Sequence, residues 1–337
     1  MSEKLERIGF YTLSDDRCKN ASEKSTLQRV EIIITDKCNF KCKYCKGLPA
    51  EIQGTMSFEE VKKRIDTCGQ IDNIRFSGGE PTMHPKILDI VSYAKNKGSK
   101  RIAVSTNGSA DIELYNKLIS AGVNDFSISL DSCCAAFGEK MMGVSGYFQK
   151  VVNNIRDISR RVYTTIGLVV TEDNIDNLKE TIIFASELGV ADIRIISAAQ
   201  YNRLLETVVS IPENAYKKYP ILNYRINNIK QNRNVRGICL KDARKCNLVL
   251  DDIAIAGNFH FPCIIYMRER GKPIGAVNPG MRKERAIWAE NHNIHEDDIC
   301  RKNCLDVCID YNNKFIELKK NNTIIPELDG TLFGWLA

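Results

Sequence analysis

The sequence predicts an α/β protein: an open, partial (β/α)6 barrel of the TIM-like kind, followed by a small C-terminal domain rich in cysteine. Three observations carry that expectation. From about residue 28 to 200, short β-rich runs alternate with helical patterns, the signature of repeated βα units and a parallel sheet. Six such units are too few for a closed eight-strand barrel. Beyond residue 200 the alternation fails, and cysteines reappear at 239, 246, 263, 300, 304 and 308. Residues 1–27 read as a polar N-terminal extension, 28–200 as the barrel, 201–235 as a connecting region and 236–337 as the second domain.

The expected strands are VEIII (Val30–Ile34), NIRFS (Asn73–Ser77), RIAVS (Arg101–Ser105), DFSISL (Asp125–Leu130), TTIGLVV (Thr164–Val170) and DIRII (Asp192–Ile196). Amphipathic helices lie between them. SFEEVKKRIDTC opens with a capping box, Ser57 and Glu60, and puts Val61, Ile65 and Cys68 on one face. HPKILDIVSYA has Pro85 where a first helical residue is expected. Phe148, Val151, Val152, Ile155 and Ile158 recur at helical spacing, as do Leu178, Ile182 and Ala185 ahead of Gly189, a C-terminal stop signal.

Composition narrows the class. With 43% hydrophobic residues in 337, the chain can bury a large core. No apolar run approaches the roughly 20 residues of a membrane span, and MSEKLERIGF lacks the apolar core of a secretory signal. A cytoplasmic protein without membrane association is expected. Thirteen cysteines in that setting argue for metal binding or chemistry rather than a disulfide framework. The net charge of +6 serves an anionic ligand or solubility equally well and decides nothing.

The densest cysteine group is TDKCNFKCKYCKG, with Cys38, Cys42 and Cys45 within eight residues and no fourth thiol close behind. It follows the first strand, so it lies on the C-terminal face where parallel barrels place their chemistry. Zinc sites usually take four ligands from two paired units, whereas an iron–sulfur cube has four irons and can be held by three thiolates with one iron left open. Three cysteines therefore point to a coordination position kept for a small molecule.

This CxxxCxxC, with Tyr44 before its third cysteine, resembles the radical S-adenosylmethionine superfamily. The resemblance covers residues 28 to about 200 and continues at the later strand ends, in FSGGEP, STNG, SISLDS and GLVVT. It implies a [4Fe-4S] cluster on Cys38, Cys42 and Cys45 whose open iron chelates S-adenosylmethionine. It also implies reductive cleavage to a 5′-deoxyadenosyl radical that takes hydrogen from substrate, with an electron donor such as flavodoxin or ferredoxin. Gly78, Gly79 and Glu80 are expected to hold the methionine amino group. Thr106, Asn107, Ser129 and Asp131 are candidates for its ribose and carboxylate, and Val169 and Val170 for its adenine.

In the C-terminal part, Cys246 and Cys263 flank NLVLDDIAIAGNFHFP, which reads as two short strands turning at Ala256-Gly257-Asn258, so their thiols should meet. Cys300, Cys304 and Cys308 fall on one helix face if that segment is helical. Six converging cysteines suggest a second cluster, with zinc as the alternative. The pattern resembles the SPASM and twitch auxiliary-cluster domains of the same superfamily. It differs in a gap from Gly257 to Cys263 one residue longer than usual, and in a shortened late cysteine group, so one auxiliary [4Fe-4S] cluster is expected rather than two. The favoured ligands are Cys239, Cys246 and Cys263 with one of the three later cysteines; a set with two later cysteines is the alternative.

Cys133 and Cys134 follow the fourth strand and are candidates for hydrogen-atom donation to a substrate radical, against the reading of small residues opening a helix. The basic residues Arg268, Arg270, Lys272, Arg282, Lys283 and Arg285 fit either a phosphate-contacting segment or a solvated loop. A small-molecule or peptide substrate is expected. A nucleic-acid substrate is disfavoured, and so is a leader peptide, since some 27 residues precede the first strand. The molybdenum-cofactor cyclase branch is disfavoured because the tail reads GTLFGWLA rather than ending in a double glycine. An iron–sulfur sensor without turnover is the reading from another class.

Overall fold

The computed structural model describes residue 18 and residues 20–198 and 204–322. The sheet starts with β1 (Leu27–Thr35), and the first half of the barrel continues α1 (Phe58–Cys68), β2 (Ile71–Gly78), α2 (Ile87–Asn96), β3 (Arg101–Thr106) and α3 (Ile112–Ala121). The second half runs β4 (Asp125–Ser129), α4 (Ala135–Met142), α5 (Phe148–Ser159), β5 (Tyr163–Val170), α6 (Leu178–Ser186) and β6 (Asp192–Ser197). All six expected strands form, and every neighbouring pair among them is parallel.

Alternation along the strands divides their residues between two faces. Val30, Ile32 and Ile34 of β1, Ile74 and Phe76 of β2, and their counterparts Ile102, Val104, Phe126 and Ile128 belong to one buried apolar cluster with the helices. The residues between them face the barrel lumen. The capping box of α1 forms as expected, with Glu60 N donating to Ser57 Oγ and Ser57 N to the Glu60 carboxylate. Pro85 does not open α2. It lies in a turn two residues earlier, fixed by His84, whose Nδ1 accepts from Lys86 N and whose Nε2 lies 2.7 Å from the Met56 carbonyl oxygen.

After β6 come α7 (Leu204–Val209), α8 (Glu213–Tyr216) and α9 (Pro220–Lys230), then β7 (Asp252–Ala256), β8 (Phe259–Phe261), α10 (Ile264–Arg268), β9 (Gly275–Ala276), α11 (Met281–Asn291), α12 (Asp298–Asn303) and α13 (Asp306–Asn322). The expected hairpin is present, with β7 antiparallel to β8 and Gly257 in the turn at φ 56°. NLVL is a 3-10 turn instead of strand. Far from standing apart, β7 pairs in parallel with β1 from Arg29↔Asp252 to Ile33↔Ala256, giving one nine-stranded sheet ordered β6-β5-β4-β3-β2-β1-β7-β8-β9. The C-terminal region thus covers the edge that β1 would otherwise expose.

The late cysteine segment is not one helix. Gly237 N donates to the Cys304 carbonyl, Asp306 N donates to the Val235 carbonyl, and Arg236 bridges to Leu305. This short pairing pulls Cys304 into extended backbone and separates α12 from α13. A wholly buried ion pair, Arg225 Nε to Asp306 Oδ1 at 3.0 Å, fixes the start of α13 to α9.

Candidate functional site

The three-cysteine loop leaves the C-terminal end of β1 and is held on several sides. Asp36 N donates to the Gly54 carbonyl, Lys41 N to the Met142 carbonyl, and the Phe40 ring packs edge-on against Tyr147 at 5.3 Å. Cys38 and Cys45 are exposed and Cys42 is half-buried. The next cysteine in the chain, Cys68, is buried in α1. Burial pushes the Cys42 thiol up to about 12, helped by Asp131 and by its fellow thiols Cys45 and Cys38. Thiols so placed ionise readily only beside a strong positive charge, which is what a bound metal supplies.

The glycines after β2 make their close approach to this loop rather than to open space. A Cβ on Gly78, at φ 147°, would lie 2.1 Å from the Thr35 carbonyl oxygen, and one on Gly79 would lie 2.3 Å from that of Lys37. Without them, Gly79 N donates to Thr35 O at 2.8 Å and Glu80 N to Lys37 O at 2.7 Å. Glu80 is tied into the protein. Its carboxylate is wholly buried and accepts from Thr82 N, Thr82 Oγ1, Thr106 Oγ1 and Asn107 N, at 2.6 to 3.0 Å. It therefore fastens the end of β2 to the end of β3, and burial still raises its pKa. Thr106 is buried in the same network. Asn107 does reach the loop, with Nδ2 donating to Asn39 Oδ1 at 2.8 Å and lying 4.0 Å from Cys38 Sγ.

Tyr44 and Asp131 meet as well. The tyrosine hydroxyl donates to Asp131 Oδ2 at 2.5 Å, while Oδ1 accepts from Val169 N at 2.8 Å. One carboxylate thus joins the loop, β4 and β5, and burial pushes it up to about 6. Ser129 is exposed at the same rim. The two valines cannot serve one ligand, because successive strand residues face opposite ways: Val169 is half-buried, whereas Val170 is in the core under the helices. Cys133 has Thr181 and Glu180 of α6 as its neighbours, and exposed Cys134 precedes α4, so neither is gathered with the loop groups.

In the C-terminal region, Cys246, Cys263, Cys300, Cys304 and Cys308 line one cavity whose other walls include Leu248, Pro262, Ile265, Trp288 and Ile299. All five are free thiols. Burial pushes Cys246 up to about 11, with Cys308 beside it, and burial likewise raises Cys263 and Cys300 strongly. Five soft ligands converging in an apolar chamber fit an iron–sulfur cluster better than isolated core cysteines. Cys239 is the correction to the expected ligand set: it is exposed, its N donates to Asp242 Oδ2, and it does not line the cavity. Sequence spacing also missed His292. Its ring stacks on Trp288, and its nitrogen, an Asp297 oxygen and Cys300 Sγ lie within 4.8 Å of one another.

Three arginines of the basic segment are turned onto the protein. Wholly buried Arg285 donates to the carbonyls of Val249, Asp252, Phe261 and Pro262. Arg282 donates to the carbonyls of Ser22, Glu23 and Ser25, and Arg268 to that of Gly78. These guanidiniums crosslink the chain, whereas Arg270, Lys272 and Lys283 are exposed.

Unforeseen in the sequence is the charge of the lumen. Arg29 pairs with Glu31 at 2.9 Å and Asp252 at 3.6 Å, and Arg75 and Arg101 share Asp125 at 3.4 and 3.0 Å. The signal was available, as charged residues within strands of a parallel sheet.

The fold and site define a class: an open parallel α/β barrel with three thiols in the loop after its first strand. Residues 32–185 match the family model described as Radical SAM superfamily. Among curated proteins, an "AdoMet-dependent heme synthase" of Methanosarcina barkeri is 28% identical over 195 residues, 51% of this chain and 55% of that one. A "Probable GTP 3',8-cyclase" of Sulfurisphaera tokodaii is 26% identical over 224 residues, 60% of this chain and 71% of that one. The solved structure of anSMEcpe with bound AdoMet superposes with a TM-score of 0.58 at 15% identity, covering 87% of this chain and 94% of that one. The last likeness speaks for the fold alone. The chain spans about half the length of the heme synthase it matches. Among the described residues no helix is long and apolar enough to cross a membrane.

Proposed function

We propose that this chain is a radical S-adenosylmethionine enzyme with two clusters: one on Cys38, Cys42 and Cys45, the other on four of the five thiols of the C-terminal cavity. The observation that carries this reading is the three-thiol loop itself, presented at the end of β1 with Tyr44, Asn107 and Asp131 gathered round it. When bound, the first cluster and S-adenosylmethionine supply a 5′-deoxyadenosyl radical that removes a hydrogen atom from substrate, a role taken over from the superfamily.

The protein's share is positioning. Gly78 and Gly79 let the β2 end pack against the loop's stem, and Glu80 braces that end from beneath. Asp131 holds Tyr44 in place, and Asn107 stands beside Cys38. Lys37, Lys41, Lys43 and Lys46 are exposed around the loop, a surface suited to an acidic electron donor of the flavodoxin or ferredoxin kind. The substrate is a small molecule or a peptide, and the second cluster assists its oxidation, epimerisation or bond formation.

The test is anaerobic. The reconstituted protein is reduced with dithionite in the presence of S-adenosylmethionine, and 5′-deoxyadenosine is measured alongside iron. Deoxyadenosine from wild type and none from Cys42→Ala, with about eight irons per chain, is the expected result. Full iron loading without deoxyadenosine, with and without candidate substrates, would favour a non-turnover iron–sulfur sensor.

A further inference from the structure

We propose that the substrate carries a carboxylate or phosphate group and that Arg194, on the lumen face of β6, is the residue that binds it. The inference rests on the enzyme reading above and deepens it. Arg194 is in register with Gly167 of β5, and Gly167 with Ser129 at the C-terminal end of β4, so the guanidinium lies just below the rim that carries the three-cysteine loop.

Its surroundings distinguish it from every other lumen arginine. Arg29, Arg75 and Arg101 each have a carboxylate within 4 Å. Among the described residues Arg194 has none: one Nη donates to Ser127 Oγ at 2.8 Å, and its buried Nε has no hydrogen-bond partner. A half-buried cation with a buried Nε left unbonded and no carboxylate in direct contact is costly to hold, and it persists where a ligand completes it. Burial, with Arg75 and Arg29 nearby and only partly offset by the more distant Glu31, pushes its pKa down to about 10, so it stays cationic at neutral pH.

The neighbouring strand sets no side chain over these groups. A Cβ added at Gly167 would come no nearer than 3.8 Å to the Arg194 guanidinium and to Ser127 Oγ, so the glycine keeps the space over both groups clear of side chain without being forced by crowding. Nε and an Nη present the planar fork that takes two oxygens of a carboxylate or phosphate, and Ser127 adds a hydroxyl. An anion seated there would hold the rest of its molecule toward the loop.

The test is calorimetric titration of the iron-loaded full chain, at low ionic strength, with inorganic pyrophosphate and separately with succinate. Wild type is expected to bind one of the two at least tenfold more tightly than Arg194→Gln, with Arg194→Lys intermediate; which anion binds tells phosphate from carboxylate. Melting is the second readout, because removing a charge that no carboxylate contacts directly should leave Arg194→Gln as stable as wild type or more so. Equal binding by wild type and Arg194→Gln, including none by either, would overturn the proposal. So would a lower melting temperature with unchanged binding, which marks a scaffold residue. Arg194-dependent binding without deoxyadenosine would sink the enzyme reading and leave the anion site standing; deoxyadenosine with Arg194-independent binding would do the reverse.

Discussion

The two thiol groups of this protein are built in opposite ways. Cys38, Cys42 and Cys45 come from eight consecutive residues, two of them exposed, in a loop that glycines and buried carboxylates steady from behind. Cys246, Cys263, Cys300, Cys304 and Cys308 come from a turn, a hairpin end, two helices and the break between them, and they meet in an apolar cavity. The first arrangement offers a site that a small molecule can enter. The second is part of the local core, with Trp288 and Ile299 for walls, so its metal and its folding should stand or fall together.

The comparison predicts unequal consequences for removing one thiol from each group. Cys38→Ala should lower deoxyadenosine formation at least ~100-fold, on the order of 3 kcal/mol of lost transition-state stabilisation, and remove about half the iron. Because Cys38 is exposed, its unfolding free energy should stay within about 0.5 kcal/mol of wild type. A large loss of stability there would mean that the loop, too, is a folding element. Cys263→Ser should do the opposite: about half the iron goes, and urea unfolding shows a loss of roughly 1–3 kcal/mol from an unsatisfied buried hydroxyl alone, with the lost metal adding to it.

The joint between barrel and connecting region gives a smaller effect. Asp192 is wholly buried, accepting from Ile193 N, Ile221 N and Leu222 N, and burial pushes its pKa up to about 6. An unfolded aspartate titrates near 3.9, so between these values the folded chain holds a proton that the unfolded chain has released. The stabilisation is therefore full below about pH 4 and is lost as pH rises through about 6, by roughly 3 kcal/mol at most. Urea midpoints across this range should fall with pH in wild type and flatten in Asp192→Asn, which also gives up the bond to Ile221. An unaltered slope would mean that the carboxylate ionises normally in the fold.

Smallest of all should be Cys239→Ser. Since Cys239 is exposed and outside the cavity, iron content should be unchanged and stability should shift by no more than about 0.5 kcal/mol. A loss of four irons would restore it to the ligand set and show that the metal draws its segment inward.

The sequence by itself determined the parts that depend on local order. Period-two apolar runs and helical spacing marked all six barrel strands, the Ser57–Glu60 capping box and the apolar faces of α5 and α6, because side chains within one element take their positions from its repeat alone. The three-cysteine loop was legible for the same reason: its chelating spacing is fixed within eight residues. Tertiary structure decided everything that depends on which distant segments meet. Strand pairing set β7 against β1, turning an expected separate domain into an extension of the barrel sheet. Backbone pairing of residues 235–237 with 304–306 broke the expected helix, and five cysteines lined the cavity without Cys239. Burial turned Glu80 inward and sent Val170 to the core, and strand register left Arg194 as the lumen arginine without a carboxylate within 4 Å among the described residues. A one-dimensional pattern names a charged residue in a strand, but strand register and the opposing side chains decide whether its charge is already matched or is held for something else.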